Sequence, residues 1–243
     1  MRIFSLVIAL ALVAGCQSAD APPASGADAP TTAEASAPEA SPAAPKGPAE
    51  ASGDTLTVMF FGDSLTEGYG LANPDGEAYP ALIGDKIEEG GIPARVVNAG
   101  NSGETSAGGL RRADWLLSRI TPDVFVLALG GNDMLRGTPT EETEKNLRAI
   151  FDRVREAAPE ATLVLAGLEA LPNLGSEYGD AYREVFGSVA EDYDAAFVPF
   201  LLEGVAGEAS LNQPDGVHPT ARGQAIMAET VWGVVGPILD RTG

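Results

Sequence analysis

The sequence predicts an α/β protein in which helices cover both faces of a five-stranded parallel sheet. Its apolar, β-rich runs are short and almost uninterrupted, which is the pattern of strands buried on both sides. Segments with a helical pattern separate these runs, and such alternation is typical of a parallel sheet. About 190 residues carry the alternation, enough to bury roughly 70% of their unfolded surface around one core.

The predicted strands are apolar runs bounded by polar or turn-forming residues. The clearest is the sequence DVFVLAL at residues 123–129, which is apolar after its first residue. A short continuous run of this kind indicates a fully buried strand. In chain order, the predicted strands are residues 55–61, 95–97, 123–129, 162–165 and 196–198.

The predicted helices follow from apolar spacing and from residues that favour helix starts. In residues 141–157, apolar side chains recur at spacings of three and four, as on one face of an amphipathic helix. Pro219 precedes the last helix, where proline is tolerated because the first N–H groups of a helix have no internal partner. In chain order, the predicted helices are residues 78–89, 108–119, 141–157, 176–192 and 220–240.

The N-terminal residues 1–16 have the pattern of an export signal. Arg2 is followed by an apolar run at residues 3–13, which is too short to span a bilayer as a stable helix. The run ends in small residues before Cys16, and this resembles the lipobox of bacterial lipoproteins, in which the cysteine becomes the lipidated N-terminus after cleavage. Gln17 favours the outer membrane in that sorting pattern. The alternative is an ordinary secretory signal in which Cys16 is incidental.

Residues 17–53 are composed mainly of Ala, Pro, Ser and Thr, and they contain no aromatic residue, Leu, Ile or Val. Such a segment cannot bury enough apolar surface to offset the entropy lost on ordering, so we expect a disordered tether. Residues 54–243 then form the folded domain. We expect the domain on the periplasmic face of the membrane, which it contacts only through the lipidated N-terminus.

Composition and charge exclude several classes of function. The chain has a formal net charge of −20, with one Cys and one His. One Cys cannot form an internal disulfide, and one Cys with one His cannot build a Cys/His zinc site. The folded domain alone carries −17, so electrostatic binding to nucleic acid is disfavoured. The sequence does not indicate an oligomeric state.

The residues that suggest chemistry follow the predicted strands. In an open α/β sheet the functional site lies beyond the carboxyl ends of the strands. Ser64 is the candidate nucleophile, His218 the general base and acid, and Asp215 the residue that orients His218. The backbone N–H groups of Ser64 and Gly103 and the side chain of Asn132 are candidate oxyanion donors. These residues belong to segments 62–65, 98–105, 130–133 and 215–219.

Each segment alone also has a purely structural explanation. Asp63 or Ser64 can cap a helix, Gly103 can supply a turn with positive φ, and Asn132 can cap or turn the chain. The combination favours catalysis, because the only histidine follows an aspartate by three residues in the last segment. No G-x-S-x-G elbow and no nucleotide-binding glycine motif occurs.

The segments GDSL, NAGNSGETS, GGND and DGVHP, in this order, resemble the four blocks of the SGNH (GDSL) hydrolase family. The resemblance covers about residues 55–240 and is strongest to the arylesterase, acyl-CoA thioesterase I and lysophospholipase L1 group. It implies a flavodoxin-like three-layer α/β/α sandwich without a metal or organic cofactor. It also implies hydrolysis of small carboxylic esters and thioesters through an acyl-enzyme intermediate.

Two candidate walls of an acyl pocket follow the third and fourth predicted strands. Met134 and Leu135 come directly after the segment with Asn132, and Leu171, Pro172 and Leu174 form the second set. The alternative is that these residues only pack against the next helix.

Three functions are compatible with these observations. The leading one is a tethered periplasmic esterase with thioesterase and lysophospholipase capacity. The second is a carbohydrate or peptidoglycan O-acetylesterase, and the third is a non-catalytic surface lipoprotein that only binds. The complete set of Ser64, Asp215 and His218 argues against the third.

Overall fold

The computed structural model describes residues 55–242, and its strands and helices alternate along the chain. The strands are β1 (Leu56–Gly62), β2 (Ala94–Gly100), β3 (Val124–Ala128), β4 (Thr162–Ala166) and β5 (Ala196–Val198). The helices are α1 (Ser64–Glu67), α2 (Pro74–Glu77), α3 (Tyr79–Glu89), α4 (Ser106–Leu117), α5 (Gly131–Leu135), α6 (Thr140–Ala157), α7 (Ser176–Asp192) and α8 (Ala221–Thr242). A 3₁₀ helix spans Pro172–Leu174.

The five strands form one parallel sheet in the order β2-β1-β3-β4-β5. This is the strand order of the flavodoxin-like fold, in which the direction of winding reverses next to β1. At the carboxyl end, Gly62 of β1 lies beside Gly100 of β2 and Ala128 of β3. The loops that follow these three strands therefore meet at one edge of the sheet.

Helices cover the sheet on both faces and complete three layers. α3 packs against α8 on one face, whereas α4 and α7 pack against α6 on the other. This division follows from right-handed crossovers, because the chain moves in opposite directions after β1 and after β2. All five residues of β3 are buried, as expected for a central strand covered by both helical layers. The predicted three-layer fold is confirmed.

The long elements lie close to their predicted positions, and the short ones were missed by the sequence analysis. β5 and α7 occupy the predicted residues, and the other long helices and strands differ by one to three residues at their ends. α1, α2, α5 and the 3₁₀ helix contain only three to five residues each. Elements this short do not complete enough turns to show an apolar period.

The predicted signal peptide at residues 1–16, including Cys16, and the predicted tether at residues 17–53 lie outside the described residues. No helix within residues 55–242 is both long enough and apolar enough to cross a bilayer.

Candidate active site

The turn from β1 into α1 places Ser64 at the carboxyl edge of the sheet. β1 ends at Gly62, where a Cβ would lie 2.0 Å from Thr66 Oγ1. The close approach of α1 to the strand therefore requires glycine. Asp63 caps α1 by accepting a hydrogen bond of 3.0 Å from Leu65 N–H. Ser64 begins the helix and is 9% exposed.

Ser64, His218 and Asp215 form a hydrogen-bonded chain. His218 Nε2 lies 3.0 Å from Ser64 Oγ, and His218 Nδ1 lies 2.8 Å from Asp215 Oδ2. Asp215 Oδ1 also accepts the backbone N–H groups of His218 and Val217, at 3.0 and 2.9 Å.

These hydrogen bonds determine the charge of Asp215 and the tautomer of His218. The backbone N–H of His218 contributes most, followed by its side chain and the N–H of Val217, and together they lower the pKa of Asp215 to about 2. Asp215 is therefore ionised at neutral pH, and it favours the tautomer with the proton on Nδ1. Nε2 is then the acceptor for the Ser64 hydroxyl proton.

Tyr69 packs against the ring of His218. The two ring centroids are 4.7 Å apart, and the planes are inclined by 45°. Gln213 Nε2 donates a hydrogen bond of 2.7 Å to Tyr69 O, which ties the segment after α1 to the segment before α8. Sequence reasoning missed Tyr69, because nothing in the spacing relates it to a histidine 149 positions later.

Asn132 lies in α5, which begins after a turn at Gly130 with φ of 128°. Its Nδ2 donates to Glu104 O at 3.1 Å and to Asp63 Oδ2 at 3.3 Å. Gly103, in the loop after β2, has φ of 77°, a left-handed conformation that favours glycine. Asn132 therefore joins the segment that contains Ser64 to the loop that contains Gly103.

Two buried carboxylates hold the loop after β2 and the start of α4 in place. Glu104 is 7% exposed and accepts two hydrogen bonds from Arg112 Nε, at 2.9 and 3.0 Å. Asp133 is 1% exposed and accepts Ser106 N–H at 2.7 Å and the Ser106 hydroxyl. Both contacts immobilise segments adjacent to Gly103 and Asn132.

Asp63 has an unusual electrostatic environment for a residue next to the nucleophile. Burial raises the pKa of Asp63 to about 6, and the hydrogen bonds from Leu65 N–H and Asn132, together with the charge of His218, oppose this rise only partly. Glu104 raises the pKa slightly further by charge repulsion.

The two candidate pocket walls contact each other. Leu171 N–H lies 3.3 Å from Met134 Sδ and donates to it. Leu135, Leu171 and Leu174 are 51%, 42% and 41% exposed, so they are available for contact with a substrate. The backbone of Pro172 lies in the 3₁₀ helix, and its side chain lies outside the described residues.

The structure thus brings Ser64, His218 and Asp215 into direct contact, and it places Asn132 one hydrogen bond from the loop of Gly103. Among residues 55–242, no three His, Cys, Asp or Glu side chains are grouped so that they could bind a metal ion together. This arrangement can take a proton from Ser64 and stabilise negative charge near it, as acyl transfer requires.

A Ser–His–Asp chain at the carboxyl edge of a flavodoxin-like sheet defines the class of serine hydrolases with this fold. The model of the GDSL-like Lipase/Acylhydrolase family matches residues 60–226. The chain belongs to this family, and it is a carboxylic ester hydrolase. Both the resemblance noted in the sequence and the predicted enzymatic class are confirmed.

Relatives with curated names support this assignment. The chain is 40% identical to "Esterase TesA" of Pseudomonas aeruginosa over 75% of this chain and 89% of that protein. It is 35% identical to "Thioesterase 1/protease 1/lysophospholipase L1" of Escherichia coli, over 78% and 87%. It is 33% identical to the arylesterase of Vibrio mimicus, over 74% and 88%. The crystal structure of TesA superposes with a TM-score of 0.71 at 38% identity, covering 75% of this chain and 99% of that one.

Proposed function

We propose that Ser64 is the nucleophile of this esterase, with His218 as general base and acid. His218 Nε2 accepts the hydroxyl proton while Ser64 Oγ attacks the ester carbonyl carbon. The tetrahedral intermediate collapses to an acyl-enzyme as His218 returns the proton to the leaving alcohol. Water, activated by the same histidine, then releases the acid. The distance of 3.0 Å between Ser64 Oγ and His218 Nε2 carries this assignment.

The oxyanion of the tetrahedral intermediate requires donors that are already oriented. We assign this role to the N–H groups of Ser64 and Gly103 and to Asn132 Nδ2. Asp215 keeps the imidazole in the required tautomer and stabilises the imidazolium that forms during the attack.

We further propose that the substrates are amphiphilic esters, including thioesters and lysophospholipids. The described residues have five exposed large apolar side chains, and all lie on segments at the carboxyl edge of the sheet. Tyr69 and Val217 flank His218, and the others form the candidate pocket walls. Exposed apolar side chains concentrated at one edge are typical of a binding surface. The names of the relatives, esterase, arylesterase and thioesterase/lysophospholipase, support the same substrate class.

We also propose export to the periplasmic face of the membrane and attachment through lipidated Cys16, with the outer membrane favoured by Gln17. This proposal is supported by the sequence pattern alone. Replacing Cys16 by Ser should move the protein out of the membrane fraction or leave it unprocessed. A Cys16→Ser protein that is processed normally and still fractionates with the membrane would contradict lipid attachment at Cys16.

An activity panel tests the chemical assignment. Nitrophenyl esters from acetate to palmitate should be hydrolysed with a preference beyond acetate, and lysophosphatidylcholine should be hydrolysed too. Ser64→Ala should lower kcat by several powers of ten with an unchanged melting temperature, since only the attacking oxygen is removed. Near-parental turnover by Ser64→Ala would refute the assignment of Ser64 as the nucleophile. Release of acetate alone, including from acetyl-xylan, would identify an O-acetylesterase instead.

A further inference from the structure

Two charged side chains hold the Gly103 loop, and neither has a role in the proposed chemistry. Glu67 Oε2 accepts the N–H of Ser102 at 2.9 Å and also accepts the Ser102 hydroxyl. Arg136 Nη2 donates to Gly103 O at 3.0 Å. These contacts lie on either side of the peptide bond between Ser102 and Gly103, which carries the proposed oxyanion donor.

Both side chains lie at the C-terminal ends of the short helices that also carry the other oxyanion groups. Glu67 is the last residue of α1, which begins with Ser64, and Arg136 directly follows α5, which contains Asn132. Each helix therefore supplies one oxyanion group near its start and one contact to the Gly103 loop near its end. Because a single helical turn is stiff, these contacts hold the Gly103 loop in a fixed position relative to the two helices that carry the other donors.

The base of the loop is held by close packing, whereas its tip is not. A Cβ at Gly100 would lie 2.2 Å from Glu67 N, and Asn101 N–H donates to Gly62 O at 3.0 Å. Ser102 and Gly103 themselves are exposed. Their orientation therefore depends on polar contacts, and the side chains of Glu67 and Arg136 provide these contacts at the tip.

We propose that Glu67 and Arg136 are positioning residues that fix the direction of the Gly103 N–H in the oxyanion hole. This inference rests on the proposed function, because it assumes the role of Gly103. Oxyanion donors are effective when they point in advance at the position where charge develops. A misdirected donor weakens binding of the transition state much more than binding of the substrate, so kcat should fall while KM changes little.

Glu67→Ala and Arg136→Ala test the proposal with a soluble ester for which the chemical step limits the rate. We expect each to lower kcat about 10-fold, less than the 10²–10³ lost with a whole donor, and to leave KM within about 2-fold. Glu67→Gln should recover most of the loss, because its amide oxygen still accepts the Ser102 N–H. Ser102→Ala, which keeps that N–H, should lose less than Glu67→Ala.

Controls separate positioning from effects of charge and stability. Glu89→Gln removes the same charge from the exposed end of α3, at the opposite edge of the sheet, and should retain parental kinetics. The rate of phosphonylation of Ser64 by a nitrophenyl alkylphosphonate provides a second readout. It should fall in parallel with kcat in Glu67→Ala, because the phosphonyl oxygen occupies the oxyanion hole.

Three outcomes would overturn the proposal. The first is parental kcat in both alanine variants, and the second is a raised KM with unchanged kcat, which would make the residues substrate binders. The third is a loss of kcat that merely follows a lowered melting temperature. An active Ser64→Ala would instead refute the proposed function itself, so the two failures are distinguishable.

Discussion

Asn132 is the residue on which several parts of the site converge. Its side-chain amide contacts Glu104 O and Asp63 Oδ2, so it is held at the junction of two loops. The amide nitrogen has two hydrogens and both take part in these contacts, so one contact is exchanged when Asn132 donates to the oxyanion, while the other keeps the side chain in place.

Asn132→Ala should lower kcat by about 10²–10³, the usual loss for one oxyanion donor. The measurement is steady-state turnover of a short nitrophenyl ester, with the melting temperature as the control for folding. If KM rose and kcat were unchanged, Asn132 would bind the substrate without stabilising the oxyanion.

Asp63 should make the stability of the protein depend on pH between about 4 and 6. Its pKa is about 6 in the folded protein against an ordinary 3.8, so folding takes up a proton in this range. The folded state binds more protons than the unfolded state there, and stability therefore falls as pH rises. For a shift from 3.8 to about 6, the ionised carboxyl costs about 3 kcal/mol at neutral pH.

Asp63→Asn should remove this dependence. Unfolding by denaturant at several pH values would show the variant gaining up to about 3 kcal/mol relative to the parent between pH 4 and 7. The lost hydrogen bond to Asn132 adds an offset that does not vary with pH, so the slope isolates the charge. If the difference in unfolding free energy between Asp63→Asn and the parent were constant across this pH range, Asp63 would have an ordinary pKa.

At the residue scale, sequence order explains which side chains share an edge but not how they touch. Residues that directly follow parallel strands must lie at the same edge, and this predicted the neighbourhood of Ser64, Gly103 and Asn132. The contacts of Glu67 and Arg136 depend on the conformation of an exposed loop 35 and 33 residues away. Polar contacts between segments so far apart in the chain leave no periodic signal in the sequence.

At the scale of elements, the close approach of α1 to the end of β2 determines the geometry of the site. Gly100→Ala should destabilise the protein by about 1–3 kcal/mol, because its Cβ meets the backbone of Glu67 and no flexible side chain can move aside. It should also lower kcat, since α1 carries Ser64. Chemical denaturation and turnover measure the two effects.

Gly187→Ala is the matched control for this substitution. Gly187 lies inside α7, and a Cβ there meets nothing within 4 Å. Alanine should therefore stabilise the helix by about 0.4–1 kcal/mol and leave turnover unchanged. If Gly100→Ala and Gly187→Ala changed stability and turnover equally, the contact between α1 and β2 would have no special role in either property.

The accuracy of element prediction depended on length. α6 has five buried residues along its 18 positions and repeats its apolar face several times, so its limits were predicted within one residue. α1 and α5 carry the site, but each has fewer than two turns. Their helical geometry follows from the strand ends and the glycine turns before them, and a local pattern could not show it.

At the scale of the whole molecule, every residue to which we assign a role in catalysis lies within the described part of the chain. The match to the crystal structure of TesA covers 75% of this chain and 99% of the chain in that structure. A shortened protein beginning at Asp54 should therefore fold and keep parental kcat/KM for nitrophenyl esters. A loss of activity on shortening, with an unchanged circular dichroism spectrum, would show that residues before Asp54 contribute to the site.

Because all strands of the sheet are parallel, its amino edge and its carboxyl edge are different, and this difference matters when the protein is attached to a tag or a surface. β1 begins at Leu56 on the amino edge, opposite Ser64. Lys86, near the end of α3, pairs with Glu229, so α8 runs beside α3 toward that same amino edge. The start of β1 and the end of α8 therefore both lie at the amino edge of the sheet, away from Ser64. In the shortened protein that begins at Asp54, an affinity handle, a reporter domain or a solid support joined at either end would therefore lie away from Ser64 and leave the active site unobstructed.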